Sequence, residues 1–393
     1  MEDILTRSVA NIIPNPQALS NRLAQHTPLN IYLGIDATAT RIHLGHAVTL
    51  RKLQAFAQAG HNVTFLIGDF TALIGDTSDK DTERPILTQE QIQSNFDTYQ
   101  SQASKILDFS LVRVVNNSQW LSNLNFTEIV QLCQHFSAGD FYSRELIKTR
   151  LQNGKHVGLH EILYSVMQGY DSYHLDTDLQ IGGTDQTFNM QAGRTLQKDL
   201  RHKDSYIMAL EFLTGTDGRK MSKSWGNAIW LEDSPDQIYG KIMSIKDELI
   251  IEYFTHATDI SIEEINQIQQ QLNQGANPME FKKNLAHRIT SDLHSSDLAD
   301  EAQQYFQNTV QSNQIPQDIP VTHLSKPNWT PMELISHLQL TTSNSQSRRL
   351  IEQGGFRINN QQITQIDSPL QINEADIVQL GKRQYIKLSL NQG

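Results

Sequence analysis

Residues 43–46 read His-Leu-Gly-His, and residues 220–224 read Lys-Met-Ser-Lys-Ser. Two imidazoles three residues apart share a helix face, and at a helix start both can donate to phosphate oxygens, where the backbone N–H groups and the dipole already favour an anion. Gly45 lies between them and offers no side chain, so a flat purine can pack against its backbone. About 175 residues further on, Lys220 and Lys223 are two ammonium charges able to meet departing phosphates, as phosphoryl and nucleotidyl transfer require. Alone, the first motif reads equally as two helix-start histidines and the second as a solvated loop. Together they describe a site for a nucleoside triphosphate.

Such groups need a frame. Residues 30–36 read as a strand, 46–59 as a helix with Gly60 as its stop, and 61–69 as the next strand. Residues 111–115 and 178–183 read as two more strands. Strand, helix and strand with short connections predict an α/β fold with a mostly parallel, Rossmann-like sheet, whose ligands lie beyond the carboxyl ends of the strands. The pattern turns helical over 248–254, 261–272, 278–294 and 298–310. Four prolines, at 316, 320, 327 and 331, mark 312–331 as a linker. A compact α+β unit closes the chain, with helices over 332–338 and 345–352, a turn at Gly354-Gly355, and strands over 356–359, 377–380 and 385–388. The division expected is a catalytic region 1–230, a helical region 231–311, the linker 312–331 and a small domain 332–393.

Composition sets bounds on function. At 393 residues the chain has room for two or three domains, and 38% hydrophobic with 19% charged residues is ordinary for a folded globular protein. The lone Cys133 forms no internal disulfide, the N-terminal residues lack a signal-peptide pattern, and no apolar run approaches a membrane span; the expectation is a cytoplasmic protein with no membrane partner. Net charge is −11, against a nucleic-acid partner at first sight. From residue 325 onward, however, seven Lys/Arg face five acids, so the tail carries +2 and the remainder −13. Local basic patches, not the total, set phosphate attraction.

In its motifs the chain resembles the class I aminoacyl-tRNA synthetases, and within them the bacterial tyrosyl-tRNA synthetase family. The lysine motif is the family's complete KMSKS, and the histidine motif is its HIGH with Leu44 for isoleucine. The resemblance runs through Tyr32-Leu33-Gly34-Ile35-Asp36, residues 68–76, residues 163–171 and Gln180-Ile181-Gly182-Gly183-Thr184-Asp185-Gln186, into a tail similar to the S4-type RNA-binding domain. It implies that ATP is held by Gly34, Asp36, His43, Gly45, His46, Gly183, Asp185, Lys220, Ser222 and Lys223, with Mg²⁺ on the departing group. Catalysis would fall to His43, His46, Lys220 and Lys223. For the amino acid it implies Tyr164, Gln168 and Asp76 on the ammonium, Gln186 beside the carboxylate, and Asp171 and Tyr32 on the phenol hydroxyl. Lys80 and Arg84 would face pyrophosphate. Partners implied are L-tyrosine, ATP, tRNA(Tyr) through Arg348, Arg349, Lys382 and Arg383, and a second copy in a homodimer to which the segment around Leu132 to Phe141 contributes. Leu33, Ala37 and Thr187-Phe188 depart from the better-known bacterial branch, and the wording Thr-Asp-Gln-Thr-Phe-Asn is similar to a second one.

The choice of tyrosine can also be argued physically. Tyr164, Gln168 and Asp171 stand at i, i+4 and i+7, on one face of one helix. By itself that stripe reads sooner as a solvated polar face. The resemblance implies instead a buried carboxylate and phenol awaiting a hydroxyl, which reject phenylalanine because it would leave them unpaired; tyrosyl-tRNA synthetases are the established example of this rule. Three alternatives stand beside this reading: a tryptophanyl synthetase, a nucleotidyltransferase of the same fold acting on a small acid, and a catalytically silent RNA-binding relative.

Overall fold

The computed structural model describes residues 2–36, 41–75, 88–311, 319–341, 343–381 and 384–390. Asp76, Lys80, Arg84, Lys382 and Arg383 lie outside the described residues. The chain forms two compact units, Met1–Ser296 and Asp297–Gly393.

A six-stranded sheet organises the first unit, in the order β1-β6-β5-β2-β3-β4. The strands are β1 (Val9–Ile13), β2 (Asn30–Ile35), β3 (Asn62–Ile67), β4 (Val112–Asn116), β5 (Leu179–Gly183) and β6 (Tyr206–Leu210). All neighbours are parallel except β1, which pairs antiparallel with β6 at the edge. The mostly parallel expectation holds, and β1 and β6 are additions to it. Ile31, Leu33, Phe65, Ile67, Leu179, Ile181 and Ile207 are all buried, as strands covered on both faces require. The chain runs outward from β2 to β3 and β4 on one side, and from β5 to β6 on the other. The β2–β5 boundary is therefore the point where the winding reverses, and the carboxyl ends of these strands open a crevice there.

Three helices border that crevice: Leu44–Gln58, Leu159–His174 and Thr187–Arg201. The first begins two residues earlier than expected, with His43 as its N-cap in extended backbone. Beyond the sheet, helices Pro235–Met243, Ile250–Ala257, Ile262–Asn273 and Pro278–Leu293 pack through Ile238, Ile242, Tyr253, Leu285 and Ile289. Ser234, Ser261 and Asn277 cap three of them with side-chain oxygens, and Pro235 and Pro278 occupy first-turn positions where no donor is lost.

The second unit carries a five-stranded sheet, β10-β9-β12-β13-β7, and a two-stranded pair, β11-β8. The strands are β7 (Val321–Leu324), β8 (Asn328–Trp329), β9 (Phe356–Ile358), β10 (Gln361–Ile363), β11 (Leu370–Gln371), β12 (Ile377–Leu380) and β13 (Gln384–Leu390). Helices Pro331–His337 and Asn344–Glu352 contribute Leu334, Ile335 and Ile351 to a core around Phe356 and Leu388. The stretch read as linker thus supplies β7, parallel to β13, and β8. Its prolines misled: Pro320 and Pro327 precede these strands rather than interrupt them, so they remove no ladder bond. Among the described residues, no helix is long and apolar enough to cross a membrane.

Candidate active site

A cavity of about 470 Å³ opens at the β2–β5 switch point. Tyr32, Gly34, Asp36, His43, Gly45, His46, Tyr164, Gln168, Asp171, Gly183, Asp185, Gln186, Lys220 and Ser222 all line it. Residues spread over almost two hundred positions thus meet in one place. Lys223 is exposed and is not among the lining residues.

At the floor, Tyr32 and Asp171 are only 3% and 2% exposed. The Tyr32 hydroxyl donates to Gln180 Oε1 at 3.2 Å, and Gln180 is fixed in that orientation because its Nε2 donates to the Met190 carbonyl at 2.8 Å. Tyr32 and Gln180 are register partners on β2 and β5, so the sheet itself sets their separation. Asp171 accepts from Trp120 Nε1 at 2.7 Å and from Asn117 Nδ2 at 3.1 Å. Burial pushes the Asp171 carboxyl up to about 8 against the pull of these two donors, with Asp36 and Asp69 adding to the rise. Burial, and then the nearby Asp171, push the Tyr32 phenol well above its usual range.

Above the floor, Tyr164 donates to Asp36 Oδ2 at 3.0 Å, and Asp36 Oδ1 accepts from Thr71 Oγ1 at 2.7 Å. Asn117 Nδ2 also reaches Thr71 Oγ1, at 3.1 Å. One chain of polar contacts therefore runs from Tyr164 through Asp36, Thr71 and Asn117 to Asp171 and Trp120. Asp36, expected among the nucleotide residues, is tied by this chain to Tyr164. No role was expected of Thr71 or Gln180, which entered the sequence reading only within longer stretches, and Asn117 and Trp120 were not singled out. A usable signal was position: Asn117 follows the carboxyl end of β4, next to the crevice, and a tryptophan close behind it needs an acceptor when buried.

The rim belongs to the two motifs. His43 and His46 stack with ring centroids 3.9 Å apart. His46 Nδ1 accepts from the His43 backbone N–H at 3.3 Å, which leaves Nε2 of a neutral ring to carry the proton and act as donor. Burial lowers His46 to about 4 and His43 to about 2, with Lys220 contributing to both. The pair thus acts by hydrogen bonding rather than by charge at neutral pH. His43 Nδ1 is buried with no hydrogen-bond partner among the described residues. A Cβ on Gly45 would stand 2.9 Å from that nitrogen, so only glycine lets the ring lie against the backbone. Lys220 Nζ sits 3.5 Å from Asp185 Oδ2 and 3.5 Å from the centre of the Phe212 ring. That aromatic face holds the ammonium at the cavity edge.

The arrangement offers a floor that pairs with a hydroxyl, a polar middle, and a rim of neutral donors with one cation: room for an amino acid below and a nucleotide above. The chain is similar to known proteins. The family model described as "tRNA synthetases class I (W and Y)" fits residues 24–311. A tyrosine–tRNA ligase of Moorella thermoacetica is 39% identical over 391 residues, covering 98% of this chain and 94% of the relative. The chain belongs to the bacterial tyrosine–tRNA ligase family of class I tRNA synthetases. Solved structures agree on the fold. A truncated mitochondrial tyrosyl-tRNA synthetase of Aspergillus nidulans superposes with TM-score 0.66 at 22% identity, over 77% of this chain and 92% of that one. The Archaeoglobus fulgidus enzyme, solved with L-tyrosine, gives 0.61 at 20% identity, over 77% and 99%.

Proposed function

We propose that this chain activates L-tyrosine with ATP, forming tyrosyl-adenylate and pyrophosphate, and then transfers the tyrosyl group to the 3′ end of tRNA(Tyr). The observation that carries this is the coexistence, in one cavity, of the buried Tyr32–Asp171 floor and the His43–His46–Lys220 rim. A tyrosine lying with its phenol on the floor directs its ammonium toward Tyr164, Asp36 and Gln168. Its carboxylate then faces Gln186 and the nucleotide. The carboxylate oxygen attacks the α-phosphorus in line, the new O–P bond forms, and the bond to the pyrophosphate oxygen breaks. No protein nucleophile is required; orientation and hydrogen bonding to the developing charge do the work. His43, His46 and Lys220 serve that charge, and Lys223 joins them only when its loop moves inward.

Among the described residues, no group of three or more His, Cys, Asp or Glu could hold a metal. Mg²⁺ is accordingly read as a companion of the ATP phosphates, and no step above depends on it. Pyrophosphate exchange into ATP, assayed with each of the twenty amino acids, tests the reading: exchange should depend on tyrosine alone. Exchange driven instead by tryptophan, or by none of the twenty, would overturn it.

For tRNA, the reading assigns residues 231–311 to the anticodon side and 332–393 to an S4-like RNA contact. Arg348 and Arg349 support it, both exposed on the helix Asn344–Glu352; Lys382 and Arg383 belong to the same proposal. Replacing Arg348 and Arg349 by alanine should raise the KM for tRNA several-fold and lower the salt dependence of binding by about two counterions. Tyrosine-dependent exchange, which needs no tRNA, should not change. An unaltered salt slope removes these arginines from the interface.

The reading also includes a homodimer. Leu132 and Phe141, at the ends of the expected segment, are buried within the unit, whereas Phe126 is 80% and Leu159 74% exposed on two helices that pack together. Such apolar exposure suits a covered face. Phe126→Asp should shift the chain from dimer to monomer in sedimentation; an unchanged sedimentation coefficient places the interface elsewhere.

A further inference from the structure

The lysine loop is held from behind by one amide. Asn227 is 3% exposed and sits just past the motif, in coil outside the crevice-bordering helices. Its Nδ2 donates to Asp217 Oδ1 at 2.7 Å, to the Lys220 carbonyl at 3.2 Å and more weakly to the Arg219 carbonyl at 3.4 Å. Its Oδ1 accepts from the Ser222 backbone N–H at 2.9 Å, and its own carbonyl accepts from the Thr216 N–H at 3.2 Å. One side chain therefore grips the loop on both sides of its apex, at residues 217–220 and at 222.

The surroundings make room for this side chain. A Cβ on Gly215 would lie 2.3 Å from Asn227 Nδ2. Asp217 is turned toward Asn227 by Arg219, whose guanidinium pairs with the other Asp217 oxygen and stacks on Trp225 at 3.8 Å. These bonds hold the Asp217 carboxyl well below its usual range, so it stays an acceptor throughout the working pH. The segment's base is fixed independently, by Glu252 on the Thr214 N–H and hydroxyl and by Tyr253 on the Thr214 carbonyl.

We propose that Asn227 is a positioning residue for the nucleotide step. Resting on the ATP reading above, it holds the Lys220 and Ser222 backbone so that Lys220 stands at the cavity rim. Asn227 has no place in the cavity lining and none in the tyrosine floor. Its loss should therefore be felt by ATP and not by tyrosine, whereas a merely structural residue would degrade both.

The test is tyrosine-dependent pyrophosphate exchange with the full chain. In Asn227→Ala, kcat/KM for ATP should fall about 10- to 100-fold, as displacing a reacting group by an ångström does. The tyrosine dissociation constant, from protein fluorescence, should stay within twofold. Asn227→Asp keeps the shape but sets a second carboxylate against Asp217, and should lose a similar factor. Adding Asp217→Asn to Asn227→Asp removes the repulsion between the two carboxylates but still leaves the Lys220 carbonyl without its donor, so the double variant should stay several-fold below the parent. An Asn227→Ala chain indifferent in ATP kinetics, an equal loss of tyrosine affinity, or a double variant as active as the parent would overturn the proposal. Should Asn227→Ala fail to fold, the isosteric comparison decides alone. Absence of exchange in the parent chain would instead sink the functional reading, so the two failures are distinguishable.

Discussion

Asp171→Asn is expected to abolish most tyrosine activation. The carboxylate at 171 accepts from Trp120 and Asn117 on its two oxygens, at 2.7 and 3.1 Å, while facing the floor where the substrate hydroxyl would arrive. A carboxamide presents one oxygen, so at least one buried N–H is left unpaired and the substrate loses a charged acceptor. Those losses together amount to about 3–5 kcal/mol, roughly 10²–10⁴-fold in kcat/KM for tyrosine. The ATP dependence should hold, because this site lies at the opposite end of the cavity from the rim. The same group sets a pH signature. Burial raises Asp171 to about 8, and a phenol that donates to it favours the ionised form, so tyrosine must expel a proton when it binds below that pH. Tyrosine affinity should therefore weaken as pH falls from 8 to 6, approaching tenfold per pH unit, and the Asp171→Asn chain should lack this slope. Titrations of the parent that are flat across this window would mean that Asp171 is already ionised there, and the Asp171→Asn loss alone would then decide its contact with the phenol.

Lys220→Ala should act on the other half of the reaction. Its ammonium, steadied by Phe212 and Asp185, is the one cation among the described lining residues. Removing a charge aimed at the departing phosphates is expected to lower kcat for exchange on the order of 10²–10³-fold, leaving tyrosine affinity unchanged. The imidazoles add a second reading of the same experiment. His43 and His46 are lowered to about 2 and 4, so both are neutral throughout the range from pH 6 to 8. At saturating tyrosine, kcat of the parent should show no imidazole inflection there. A break near 6.5 would mean that one ring works as a cation, contrary to the buried, stacked geometry.

Much of this site was legible because its chemistry is local. The strand ends at Asp36 and Gly183, the histidine turn and the Tyr164–Gln168–Asp171 stripe each lie within a few residues, and period alone places them on a face. What escaped depends on contacts across long separations. Trp120 meets Asp171 51 residues away, and Gln180 meets Tyr32 148 away, with no motif joining either pair. β1 and β6 escaped for another reason. Five-residue apolar runs such as Tyr206–Leu210 read equally as strand or buried helix, and only their mutual pairing decides. β8, β10 and β11 are two or three residues long, below any periodicity. The proline-marked stretch shows the opposite error, since composition cannot tell a proline beside a strand from one in a tether.

The polar chain from Tyr164 through Asp36, Thr71 and Asn117 to Asp171 has a consequence for redesign. If the substrate phenol rests on this floor, any attempt to retune the pocket for an unnatural aromatic amino acid would begin at residue 171, where the ring's para substituent would land. Yet Asn117 serves Asp171 and Thr71 with the same nitrogen, so a new side chain at 171 alters what holds Asp36 in place. Specificity for the ring and grip on the α-amino group are therefore not separable dials, and libraries that vary the floor should include positions 71 and 117 from the first round.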